Sequence, residues 1–172
     1  AGGDVRLETG ATALRGYNER DSGQYDSQQE VDFVSGVAIF LSKEVIERTG
    51  GFDEEYFAYY EETDLCVRAR ILNYKVEYLP VKVLHHEMAT KAPNPARTYL
   101  LSRNVIYFMH KHTTPVMFGK FLVSHILSIP RIVARDLLLD GISTGKKRIL
   151  GTMAGLALSL RYHGSDLRSY IK

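Results

Sequence analysis

Gly50-Gly51-Phe52-Asp53-Glu54-Glu55-Tyr56-Phe57-Ala58-Tyr59-Tyr60-Glu61-Glu62-Thr63-Asp64-Leu65-Cys66-Val67-Arg68-Ala69-Arg70 is the stretch on which the reading of this chain turns. Six carboxylates fall between Asp53 and Asp64, and four aromatic rings (Tyr56, Phe57, Tyr59 and Tyr60) stand among them. Charges of one sign at this density repel one another. The fold must therefore hold them apart or share them with a cation. Ser42 is placed to cap a short helix through Thr49, and Gly50-Gly51 to end it. The aromatic, acidic segment reads as a loop. A helix is predicted from Glu62 or Thr63 to about Leu72, with Leu65, Ala69 and Leu72 on one face. Asn73 suits a left-handed terminator.

Upstream, residues 1–30 are polar and rich in Gly, Asp, Gln and Ser, and read as a long irregular segment with at most one short strand. Residues 31–41 (Val-Asp-Phe-Val-Ser-Gly-Val-Ala-Ile-Phe-Leu) are β-branched and aromatic, which predicts a buried strand. Gly36 inside it marks a bulge or a close approach to the backbone. Downstream, Lys75 to Leu79 reads as a strand broken by Pro80, and a second apolar run ends at His85-His86. A loop with Pro93 and Pro95 follows. Beyond it the chain is helical: one helix from Ala96 to His112, a longer one opening at Pro115 that Pro130 must kink or break, a turn at 141–145, and a last helix from Lys146 to Tyr162. Mixed α/β architecture follows, organised as 1–114 and a helical region 115–172.

Composition is that of a globular protein: 172 residues, 45% hydrophobic and 24% charged. A lone cysteine, Cys66, excludes an internal disulfide and fits a reducing compartment. The first residues are Ala1-Gly2-Gly3 rather than Met, which fits a piece of a longer protein. The net charge of +2 conceals a polarised chain: residues 1–90 hold 9 Lys and Arg against 17 Asp and Glu, and residues 91–172 hold 13 against 3. Such a basic half suits an anionic partner or simply a soluble surface. Residues 121–130 form an apolar run of ten, too short for the roughly 20 that a span requires. They suit an interfacial helix, with Arg131, Arg135, Lys146, Lys147 and Arg148 near headgroups, or a face buried in protein. Nucleic-acid binding is disfavoured, because Tyr99, Tyr107, Phe108, Phe118 and Phe121 fall at helical spacing, as core residues do.

Glu61-Glu62-Thr63-Asp64 lie where loop becomes helix. Free N–H groups and partial positive charge at a helix start favour ionised carboxylates. A carboxylate there could take the proton of a substrate hydroxyl, or be only an acid in a first turn. Asp64 and Arg68, four apart, can pair, leaving Glu61 or Glu62 free. His86, just after a strand, is either structural or a ligand for a divalent ion; carboxylates would complete an oxygen-rich site suited to Mg or Mn. Phe57, Tyr59 and Tyr60 could stack on the C–H faces of a sugar, or pack in a core.

The order of these elements resembles the inverting family 2 glycosyltransferases of GT-A fold, closest to rhamnosyltransferase-like members. The residues that carry the likeness are Ser35-Gly36, Gly50-Gly51-Phe52-Asp53-Glu54-Glu55-Tyr56-Phe57, Glu61-Glu62-Thr63-Asp64-Leu65-Cys66-Val67-Arg68-Ala69-Arg70, Asn73-Tyr74, Pro80, His86 and Arg103-Asn104. The resemblance spans about residues 31–110. It implies the acceptor-side half of a GT-A domain that moves a sugar from a nucleotide-sugar to a lipid-linked or polysaccharide acceptor, at the cytoplasmic face of the cell membrane.

By position the catalytic base would be Glu62, where the family usually has Asp; Glu61 and Asp64 are the alternatives. Gly36, Phe57, Tyr59, Tyr60 and Arg68 would contact substrate, and His86 would help bind the metal held by the diphosphate. The family's nucleotide-binding first half, ending in Asp-x-Asp, has no counterpart here. Taken alone the chain is therefore expected to be inactive, with its Mg or Mn bound only alongside that half. The competing reading is a non-catalytic module that binds glycan or membrane.

Overall fold

The computed structural model describes residues 1–81 and 94–161. Among them the architecture is mixed α/β: strands β1 (Gly3–Arg6), β2 (Ala11–Leu14), β3 (Gln29–Glu30) and β4 (Glu77–Tyr78), and helices α1 (Lys43–Thr49), α2 (Glu61–Ile71), α3 (Pro95–His112), α4 (Pro115–Leu139) and α5 (Ile142–Arg161). They divide into two compact units. One holds Ala1–Arg6, Ala11–Phe57 and, from Glu61, the described chain up to residue 81. The other holds Leu7–Gly10, Ala58–Tyr60 and the described helices. These units fall differently from the 1–114 and 115–172 organisation read from the sequence, because α3 packs with α4 and α5.

In the first unit β1 and β2 form an antiparallel hairpin with Gly3 opposite Leu14. β3 pairs antiparallel with β4, Gln29 opposite Tyr78. Gly3 lies against the Phe33 ring so closely that a Cβ there would sit 2.3 Å from Cε1. Its backbone N–H donates to the Phe33 carbonyl at 2.8 Å. Val31, Phe33, Cys66 and Val76 form the buried core beneath α2.

The strand expected over 31–41 does not form. Val31 donates to the Val76 carbonyl and Phe33 bridges to Gly3, but from Val34 onward no described strand lies alongside. A strand without a ladder partner has no hydrogen bonds to hold it. Its apolar residues Val37, Ile39, Phe40 and Leu41 instead line an open cavity of about 990 Å³.

The helix ends follow local chemistry. The Ser42 hydroxyl accepts from the Val45 N–H at 3.2 Å, and Gly50 closes α1 at φ 80°. Asn73 takes φ 65° just beyond α2. Asn94 caps α3 and Thr114 caps α4, each with proline at the next position. α4 continues through Pro130 instead of ending there, and α5 begins four residues before the expected Lys146.

In the second unit α3 and α5 meet over two glycines. A Cβ at Gly151 would lie 2.3 Å from the Tyr99 carbonyl oxygen, and one at Gly155 2.6 Å from that of Arg103. Asp136 of α4 is fully buried and accepts from the Arg148 Nε–H of α5. Arg148, expected to face headgroups, is thus turned inward.

Candidate functional site

α2 supplies the acids. Residues Thr63 to Ala69 are buried on every side of the helix rather than along one stripe. Asp64 is fully buried and its Oδ2 accepts from the Arg68 Nε–H at 2.8 Å, with the Tyr56 hydroxyl 3.3 Å from Oδ1. Arg68 also donates to the Thr49 carbonyl, an orphan acceptor in the last turn of α1, and, at 2.7 Å, to the Gly51 carbonyl just beyond the cap. One guanidinium therefore ties two helices and the acidic loop together. With two Arg68 nitrogens on its Oδ2, Asp64 is a structural anion here; Arg68 is committed to that carboxylate and two carbonyls.

Glu61 and Glu62 are different. They occupy the first turn of α2, half-buried, and each has one carboxylate oxygen, Oε2, that is buried without a hydrogen-bond partner. Burial pushes the Glu61 carboxyl above the ordinary range, and the neighbouring Glu62 carboxylate pushes it further. Buried carboxylate oxygens are ordinarily satisfied, and no described residue satisfies these two. Gly36 sits in an exposed turn facing it: a Cβ built there would be 4.0 Å from that of Glu62. The 990 Å³ cavity borders Leu65, Cys66 and Ala69 of the same helix, and neither glutamate lines it. Burial raises the Cys66 thiol too, keeping it protonated.

The aromatic residues do not stay together. Phe57 is 83% exposed at φ 62° and belongs with the acids. Tyr59 and Tyr60 belong with the helices, at φ 67° and 75°. Non-glycine residues take this left-handed geometry only when their surroundings impose it. Here Asn104 of α3, fully buried, imposes it: its side-chain amide donates to the Ala58 and Tyr59 carbonyls at 2.8 and 2.7 Å. The Tyr60 hydroxyl donates to the Gly10 carbonyl at 2.8 Å, and its ring packs 5.3 Å from Phe108. The Arg97 guanidinium lies 5.7 Å from the Tyr59 ring centroid. Tyr60 is thus a packing residue, and Tyr59 keeps a half-exposed ring.

Sequence reading used Asn104 and Tyr56 only as parts of a motif and assigned neither a structural role. The signal for Asn104 was a lone amide between apolar residues on the buried face of α3.

His85 and His86 lie outside the described residues. Among the described residues no group of three or more His, Cys, Asp or Glu is placed to hold a metal ion. Glu61 and Glu62 offer two free oxygens, short of a donor set, so a cation accompanying a diphosphate would need ligands beyond these.

No family model matches the chain, and no solved structure does. Curated proteins do. Over 71 residues it is 34% identical to an N-acetylglucosaminyl-diphospho-decaprenol L-rhamnosyltransferase of Mycobacterium tuberculosis, covering 41% of this chain and 23% of that one. Over 145 residues it is 28% identical to a dTDP-rhamnosyl transferase of Shigella flexneri, covering 78% and 48%. Over 85 residues it is 31% identical to a low-salt glycan biosynthesis hexosyltransferase of Haloferax volcanii, covering 48% and 28%. The chain spans less than half the length of the curated relatives it matches.

Proposed function

We propose that this chain is the acceptor-side part of an inverting, family 2-like glycosyltransferase of GT-A type, working with a nucleotide-binding part outside it. The observation that carries the reading is the pair Glu61–Glu62: two carboxylates in a helix first turn, each with a buried oxygen that nothing described satisfies, beside an Asp64 fully neutralised by Arg68. The curated relatives, all named as sugar transferases, supply the reaction class.

In this reading the Glu62 carboxylate takes the proton of an acceptor hydroxyl. The freed oxygen pair attacks the anomeric carbon of the donor. The bond to the nucleoside diphosphate breaks on the opposite face, its electron pair leaves with the phosphate, and the configuration inverts. Exposed Phe57 offers a stacking face for a sugar ring, and Gly36 leaves room for substrate beside the acid. The acceptor is a lipid-linked or polysaccharide glycan at the inner face of the cell membrane. Any Mg or Mn is held mainly by the diphosphate and the nucleotide-binding part, with His86 as this chain's ligand.

The test is Glu62→Gln in the complete encoded protein. Turnover should fall by about a hundredfold or more while donor affinity holds. Unchanged transfer would exclude the acid as base. If the complete protein shows no transfer to any glycan acceptor yet binds glycan equally well with either residue, it is a non-catalytic binding module.

A further inference from the structure

We infer that the outer faces of α4 and α5 form a docking surface for an anionic lipid bilayer, lying along the membrane rather than across it. The inference rests on the second unit alone and is independent of whether Glu62 is a base.

A helix on the outside of a soluble unit turns its polar stripe to water. α4 does the reverse. Its outward stripe recurs at three- and four-residue spacing through Val116, Val123, Leu127 and Leu138, exposed by 68, 61, 75 and 84%. α5 repeats the pattern with Ile142, Met153 and Leu160. Contiguous exposed apolar area on this scale marks an interaction surface.

Charge identifies the occupant. Described residues 94–161 hold 10 Lys and Arg against two acids, Asp136 and Asp140. Asp136 is buried against Arg148 and Arg135, so Asp140 is the sole acid at the surface of these helices. Lys120, Arg131, Lys146 and Lys147 all stay exposed. Apolar side chains interleaved with cations match acyl chains beneath anionic headgroups. A protein partner would more often present some acids to be answered and fewer bare leucines.

Orientation follows from α4 itself. By length and composition it could span a bilayer. One feature argues for the interface: Arg131, Arg135 and Asp136 sit past its midpoint, where charge in hydrocarbon is costly.

The test is co-sedimentation of the 172-residue chain with vesicles of phosphatidylcholine alone and of phosphatidylcholine mixed with phosphatidylglycerol. Binding should require the anionic lipid and weaken with added salt. Leu127→Glu and Leu138→Glu, both at exposed positions and checked for unchanged helicity, should each weaken it about tenfold. Lys120→Glu with Arg131→Glu should remove the preference for phosphatidylglycerol, and Phe40→Ser, an exposed apolar residue of the other unit, should change nothing. Failure to bind either vesicle overturns the inference. So does a dimer in the absence of lipid that Leu127→Glu disperses, since a second copy would then cover the face. Release from membranes only by detergent, and not by salt or alkali, overturns the in-plane orientation.

Discussion

Four acids close together in sequence have three different fates. Asp53 caps the short turn Glu54–Tyr56, accepting from the Glu55 N–H at 3.0 Å. Asp64 is locked to Arg68. Glu61 and Glu62 keep an unsatisfied oxygen each. The raised Glu61 carboxyl has a stability consequence with a definite sign. Folded Glu61 holds its proton to higher pH than the unfolded chain does, so unfolding releases protons just above the ordinary glutamate pKa of about 4.3. Stability contributed by protonated Glu61 is full below that value and is lost as pH rises through the folded pKa. Urea midpoints measured across this range should fall with pH for the native chain and flatten for Glu61→Gln. In Glu62→Gln the charge that adds to the burial effect is gone, so the Glu61 titration followed by NMR should move part of the way back toward its ordinary value. No movement would mean that the two carboxyls do not interact.

Elements are held by a few polar anchors whose removal is costly because they are buried. Arg68→Ala would strand the Asp64 carboxylate and open the Thr49 and Gly51 carbonyls. Breaking one side of a buried pair costs about 3–5 kcal/mol. Chemical denaturation should show a loss of that order, larger than for the exposed pair Lys43–Glu47, whose removal should stay within about 1 kcal/mol. Asn104→Ala would orphan the Ala58 and Tyr59 carbonyls at about 1–3 kcal/mol each, releasing Tyr59 and Tyr60 from left-handed backbone; the chemical shifts of those two residues should move toward extended values. The α3–α5 crossing depends on missing Cβ atoms. Gly151→Val should push α5 from the Tyr99 carbonyl and lower the melting temperature of the helical unit, whereas Met153→Val, exposed on the same helix, should not.

At the scale of the whole molecule, the acidic unit carries the acids proposed for catalysis and the helical unit carries the basic, apolar surface. The charge split between residues 1–90 and 91–172 follows this division of labour. Residues 34–41 are strand-like in composition yet lie open along a cavity. On the reading proposed above, the purified 172-residue chain should show no sugar transfer with nucleotide-sugar donors, because nothing described in it forms a nucleotide site. Robust turnover by the isolated chain would refute that reading.

Much of this was legible beforehand. Ser42, Gly50, Asn73 and the proline that opens α4 set helix ends through hydrogen bonds and φ angles confined to a few neighbouring residues, so a local reading suffices. The i, i+4 pairing of Asp64 with Arg68 was legible for the same reason. Residues 31–41 were misjudged because a strand exists only with a partner, and partners are not local. The same holds for Arg148, which a buried aspartate twelve residues away turned inward, and for Asn104, whose acceptors lie more than forty residues earlier. Sequence alone settled both ends of α1, the terminator of α2 and the opening of α4, since those bonds close within a turn; tertiary structure decided which charged groups are spent on the fold and which are left over for chemistry, since that depends on what distant segments bring to them.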